Sequence, residues 1–173
     1  EMGDNLAALN FGNGALATTI TSFTHHSCAI LNNKSIKCWG YNTHGQLGID
    51  NILNTGSDNI LASDEASVVG LDCLGPNSGD CVSNITPLDI AVGYLHTCAI
   101  IQFDDENHPS DSSNSTKVTR LKCWGKGASG VLGLGDTCDR GSGKTGANNH
   151  GEVYKPDESS WEDSCGALSD KSL

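Results

Sequence analysis

The sequence predicts an all-β chain assembled from short strands, and three observations carry that prediction. Only 36% of the 173 residues are hydrophobic, 5% are aromatic and 21 are glycine, which is the composition of a loop-rich fold with a light core. The apolar residues fall in short runs between clusters of Gly, Asn, Asp and Ser, and no long stripe of period 3.6 passes through them. Finally, the stretch HHSCAILNNKSIKCWGYNTHGQLG, residues 25–48, comes back later as LHTCAIIQF and then LKCWGKGASGVLG.

The first copy reads as a hairpin. If Cys28 faces Cys38, then Ile30 faces Ile36 and Leu31 faces Ser35 around a turn at Asn32, Asn33 and Lys34, and Asn suits such a turn. One sheet face then carries Cys28, Ile30, Ile36 and Cys38, and the other carries Ala29, Leu31, Lys37 and Trp39. Both faces are largely apolar, so the sheet is expected to be covered on both sides. In the second copy Cys28 returns as Cys98, 70 residues on, whereas Cys38 returns as Cys123 and Gly45 as Gly130, both 85 residues on. The 15 extra residues lie in IQFDDENHPSDSSNSTKVTR, whose acidic, serine-rich composition predicts a solvated loop. A hairpin tolerates such an insertion because closure entropy grows slowly with loop length.

Eight cysteines suggest disulfides more than metal, since no C-x2-C pair of the kind that structural zinc uses occurs. Directly opposed strand positions accept a disulfide with little adjustment, which pairs Cys28 with Cys38 and Cys98 with Cys123. The first bond would contribute about 3 kcal/mol on the chain-entropy model and the second somewhat more. Buried free thiols packing as small hydrophobes are the alternative. Cys73 and Cys81 bracket LGPNSGD, a turn-rich loop that a local disulfide could pin, and Cys138 and Cys165 are left over. Sequons at Asn33, Asn84 and Asn114 agree with an oxidising, extracytosolic compartment, although a chain rich in Asn, Ser and Thr also produces sequons by chance.

The net charge of −11 with scattered basic residues argues against nucleic acid and against anionic lipid. No apolar stretch approaches membrane-spanning length and no basic-then-apolar leader is visible; a first residue of Glu leaves room for a leader or an upstream region already removed.

The order ITSFTHHSCAIL, a short turn, IKCWGYNTHGQLG resembles the repeat of the regulator of chromosome condensation family in a secreted, cysteine-bearing form, and IAVGYLHTCAII with LKCWGKGASGVLGLGD matches at the same places. The N-terminal EMGDNLAALNFGNG looks like the linker and outer strand that precede such a repeat. The resemblance implies a partial β-propeller of antiparallel four-stranded blades, stapled by disulfides, with a first repeat over 1–50, a second over 51–136, and an irregular linker or incomplete third repeat over 137–173. A blade cannot bury both faces alone, which explains why the phrase recurs. Members of the family usually close a ring of about seven blades, so two units imply part of a longer array or an assembly with another chain.

Catalysis is not expected. His26 and His96 recur at equivalent positions, as structural repeats require and an asymmetric active site does not. GSGKTG, residues 141–146, resembles the end of a phosphate loop, but Cys138 stands where the first glycine of G-x-x-x-x-G-K-S/T would be, so no cofactor site is expected there. The acidic run Asp104 to Glu106 lacks the ligand spacing of a calcium loop and reads as a solvated turn.

Within the family, the plant UV-B photoreceptor uses tryptophans in G-W-R-H-T motifs, where this chain has Thr24 and Tyr94. The nuclear member exchanges nucleotide on a small GTPase and contacts chromatin, a setting that eight cysteines, the sequons and the acidity all speak against. A secreted bacterial relative binds β-lactamase through its loops. The resemblance therefore implies a non-enzymatic extracellular scaffold that binds protein partners or neighbouring repeats, with the loops Leu74 to Asp80 and Gln102 to Lys117 as contact surface. A carbohydrate-binding adhesin is the alternative, with Tyr41, Tyr154 and Trp161 as candidate glycan platforms because Trp39 and Trp124 read as core. A guanine nucleotide exchange factor stands behind both.

Overall fold

The computed structural model describes residues 8–49, 51–56, 71, 84–104 and 117–141. Among them lie two three-stranded antiparallel sheets: β1 (Ala17–Phe23), β2 (His26–Leu31) and β3 (Ile36–Gly40), then β4 (Thr86–Val92), β5 (His96–Asp104) and β6 (Lys117–Gly125). Each sheet is a meander in sequence order. Cys73, Cys81, Asn114, Tyr154, Trp161, Cys165 and the loop from Leu74 to Asp80 lie outside the described residues.

The hairpin register is the one the sequence gives: Cys28 pairs with Cys38 and Ile30 with Ile36. Leu31 N–H donates to the Ser35 carbonyl across the turn, and Lys34 takes φ 68° there. Cys98 pairs with Cys123 in the second sheet. Disulfides join Cys28 to Cys38 and Cys98 to Cys123, each across a Cα separation of 4.1 Å. Cys138 is also disulfide-bonded, to a partner outside the described residues.

Two expectations need correction. The insertion is not loop throughout: pairing continues from Ile101 with Arg120 to Asp104 with Lys117, so β5 and β6 are each nine residues long and the expected contact loop contracts to residues 105–116, which are not described. Phe103 drives this, because it alternates with Ile101 onto the buried face. Asp104 accordingly ends a strand, with Lys117 Nζ at 3.7 Å, and is not part of a solvated turn. Residues 8–16 form no strand; Phe11 instead folds under the first sheet onto Ala29, Leu31 and Trp39. Within residues 137–141, Arg140 exchanges both backbone hydrogen bonds with Gly125, as Thr55 does with Gly40. Each CWG strand thus gains one bridge on its far side in place of a full fourth strand among the described residues.

The sheets stack face on unlike face. Cys28, Ile30, Ile36 and Cys38 of the first, joined by Leu47 and Ile49 that follow it, pack on Ile90, Ala99, Ile101, Phe103 and Trp124 of the second in one buried cluster. Both disulfides lie on the same side of their own sheets, so the first sheet turns its disulfide face toward the second sheet's tryptophan face.

Candidate functional site

The most organised polar arrangement in the described residues sits at the joint between the two sheets. Gln46 is fully buried, and its backbone carbonyl accepts from two groups of the second repeat: Thr97 Oγ1 at 2.8 Å and Trp124 Nε1 at 3.0 Å. His26 Nε2 lies 2.9 Å from the same Thr97 hydroxyl. A hydroxyl has one proton, and Thr97 gives it to Gln46, so Thr97 accepts from His26 and the imidazole carries its proton on Nε2. Burial, with His96 and His25 next in effect, lowers the His26 pKa to about 4, so the ring is neutral at ordinary pH. Among the described residues, His26 Nδ1 and Gln46 Nε2 are buried without a hydrogen-bond partner.

The loop carrying Gln46 is held by Asn42, also fully buried. Asn42 Nδ2 donates to the carbonyls of Asn51 (2.8 Å) and Leu53 (3.1 Å), and its Oδ1 accepts from Leu47 N–H at 2.9 Å. Gly48 closes the same loop with φ 65°, and a Cβ there would stand 2.7 Å from Trp124 Nε1, so the glycine is what lets the loop reach the next repeat's indole. At the rim, His44 Nδ1 meets Asp139 Oδ2 at 2.8 Å while Asp139 Oδ1 accepts from Gly127 N–H. His25 lies between the rings of Tyr41 and Tyr94, at 5.9 and 5.7 Å, and both tyrosines are exposed.

In this set Thr97 and Trp124 donate to the Gln46 carbonyl and the neutral imidazole of His26 donates to Thr97, so the bonds tie one repeat to the next. No cluster of three or more His, Cys, Asp or Glu fit to hold a metal occurs among the described residues. The sequon asparagines Asn33 and Asn84 are both exposed; Asn33 Oδ1 accepts from Ser35 Oγ at 2.7 Å, and Asn84 Nδ2 lies 3.4 Å from Asp104. Trp124 is buried as expected, whereas Trp39 is only half-buried, its ring tilted 57° to that of Phe11.

Residues 24–46 match the family model of the regulator of chromosome condensation (RCC1) repeat. Over that segment the chain is similar to a repeat of this family. The match begins at Thr24 and ends at Gln46, so it covers the imidazole, the disulfide hairpin and the carbonyl of the joint. Among solved structures, the chain is similar to the crystal structure of human WBSCR16, with 18% identity and a TM-score of 0.43 over 76% of this chain and 26% of that one. The chain thus spans about a quarter of that structure's length. No curated protein matches it.

Sequence reasoning missed Gln46, Asn42 and the pairing of His44 with Asp139. The first two had a signal, because the phrase N-x-x-G-Q-L-G follows the tryptophan strand and a tight loop that offers a carbonyl as acceptor explains its glycines. The last had none: Ser129 replaces His44 in the second copy, and the partners are 95 residues apart.

Proposed function

We propose that the chain is a non-enzymatic, extracellular repeat module of β-propeller type that acts as a structural or protein-recognition scaffold within a longer array or assembly. The observation that carries this reading is the stacking of one repeat's disulfide face on the next repeat's tryptophan face, pinned by His26, Thr97, Trp124 and the Gln46 carbonyl. A scaffold needs such a rigid, repeatable joint, and recognition then falls to the loops it holds apart. The bridges of Thr55 to Gly40 and of Arg140 to Gly125 lie on the far side of each CWG strand, where this reading puts a fourth blade strand. Two disulfides in the described residues and two exposed sequon asparagines support an oxidising compartment, and no helix among the described residues is long and apolar enough to cross a membrane. Neither nucleic acid nor a lipid surface is a fitting partner for a chain of net charge −11.

Intact mass of the protein from its native source, before and after reduction and deglycosylation, tests this. Disulfides with glycan at Asn33, Asn84 or Asn114 are expected; free thiols and no glycan would overturn the extracellular reading and revive the exchange-factor alternative. A glycan-binding role has one specific observation in its favour, the exposed Tyr41 and Tyr94 rings about His25. Loss of binding on a glycan array in Tyr94→Ala would be its signature.

A further inference from the structure

The two sequons among the described residues stand on unlike backbone, although both asparagines are exposed. Asn33 sits in the turn between β2 and β3, where Lys34 takes φ 68°. Its Oδ1 accepts from Ser35 N–H at 3.1 Å and from Ser35 Oγ at 2.7 Å, so the sequon is folded on itself as an Asx turn with carboxamide and hydroxyl in contact. Both bonds fall on the oxygen and leave the amide nitrogen, the atom that accepts a glycan, without a partner among the described residues. Asn84 is placed differently. It takes φ 57° just before β4, and the hydroxyl residue of its sequon, Thr86, is the first residue of that strand and pairs with Gln102. Among the described residues no hydrogen bond joins Thr86 to the Asn84 carboxamide, whose Nδ2 instead lies 3.4 Å from Asp104 Oδ2. Buried Pro87 follows, and a proline disfavours the helical region for the residue before it, which holds Thr86 extended.

From this we infer that Asn33 carries an N-linked glycan and that Asn84 is passed over, although both spell N-x-S/T. The inference rests on the extracellular reading and narrows it to a site. The donor is an oligosaccharide on a polyprenyl pyrophosphate carrier. Asn33 Nδ2 bonds to the sugar's C1 as the bond from C1 to the pyrophosphate oxygen breaks; the pyrophosphate leaves with the electron pair, and the amide nitrogen gives up a proton. A carboxamide nitrogen is a poor nucleophile, because its lone pair is shared with the carbonyl as in a peptide bond, so a transferase has to grip the carboxamide and the hydroxyl two residues on together. The turn at Asn33 offers the two as one compact surface. In an extended strand, positions two apart are separated by about 6.6 Å. Both determinants are local, Lys34 and Ser35 in one sequon and Pro87 in the other, so they act before the sheets assemble. A glycan on Asn33 lies beyond the Leu31 end of β2, whereas His25, Tyr41 and Tyr94 gather at the His26 end, so the rim of the joint stays clear.

Site occupancy tests it, on the wild-type and Pro87→Ala chains led into the secretory pathway of a eukaryotic cell. Enzymatic deglycosylation in heavy-oxygen water turns each glycan-bearing Asn into a labelled Asp, and peptide mass mapping reads the label site by site, Asn114 separately from the other two. Asn33 is expected to be labelled in nearly every wild-type copy and Asn84 in almost none, with label appearing at Asn84 in Pro87→Ala. A bare Asn33, or an Asn84 occupied as fully as Asn33 in the wild type, overturns the inference; an Asn84 still bare in Pro87→Ala overturns the part given to that proline. The same map on native material, with its thiols titrated, separates this from the extracellular reading. Free thiols and no glycan there, beside a glycan on Asn33 in the secreted chain, overturn the compartment and leave the choice of sequon standing. Oxidised cysteines with Asn33 bare overturn the choice of sequon and leave the compartment standing.

Discussion

At the scale of single residues, His26 shows how burial sets chemistry. Its imidazole has neutral hydrogen-bonding duty toward Thr97 and two other histidines, His25 and His96, as its ionisable neighbours, so nothing offsets the cost of charging it. Its folded pKa, about 4, lies below the unfolded value of 6.5. The unfolded chain therefore binds the proton first as pH falls, and the stability present above pH 6.5 drains away toward pH 4, by on the order of 3 kcal/mol in all. Urea midpoints at pH 7 and pH 4.5 should fall more for the wild type than for His26→Gln, which cannot titrate; equal falls would show that carboxylates alone set the acid sensitivity. Thr97→Val removes both the hydroxyl that His26 needs and one of the two donors to Gln46. It should cost about 1–3 kcal/mol at pH 7 with little change of volume.

Among the elements, the glycine that ends each tryptophan strand decides whether the strand can hand over to its bridge. Gly125 takes φ 101°, and a Cβ there would run into the Leu95 carbonyl; Gly40 has the same conflict with His25. Gly14 also has positive φ, at 69°, but open space around it. Gly14→Ala should therefore cost about 1 kcal/mol, the conformational term alone. Gly125→Ala should cost clearly more, because backbone must move as well. Denaturant midpoints with the disulfides intact would check the order; equal costs would mean that the Leu95 carbonyl yields freely. The hairpin was legible because strand alternation and an Asn-rich turn leave a single register that places Cys28 opposite Cys38 and both apolar faces together. The ends of the insertion were less so. Gln102, Asp104, Lys117 and Thr119 look like loop by composition, and only the spacing of Ile101, Phe103 and Val118 reveals the strand pairs. The bridge at Arg140 was hidden for a different reason, since a single pairing leaves no periodicity to read.

Across the whole molecule, the unlike-face stack makes the two sheets one folding unit. Each described sheet has three strands and two apolar sides, so neither can bury its own surface, and the cluster that runs from Cys28 and Ile36 through Leu47 to Ile101 and Trp124 belongs to both. That is why the joint could not be read from either copy alone: hydrophobic periodicity gives the two faces of each sheet, but which face meets which depends on the linker and on the Gln46 carbonyl, a backbone group that sequence patterns do not show. Ile36→Ala tests the coupling. Ile36 lies in the first sheet at 1% exposure, and truncating it should cost about 2–4 kcal/mol through lost burial and the cavity left behind. If the sheets open together, hydrogen exchange of β5 amides in the second sheet must speed up by the same factor as that of β2 amides in the first, because both exchange through one cooperative opening. If each sheet opens alone, the loss falls on β2 and β3 while β5 keeps its protection. The stack would then be a contact between independently stable hairpins, and the Cys98–Cys123 disulfide, not the neighbouring repeat, would be what holds the second sheet together.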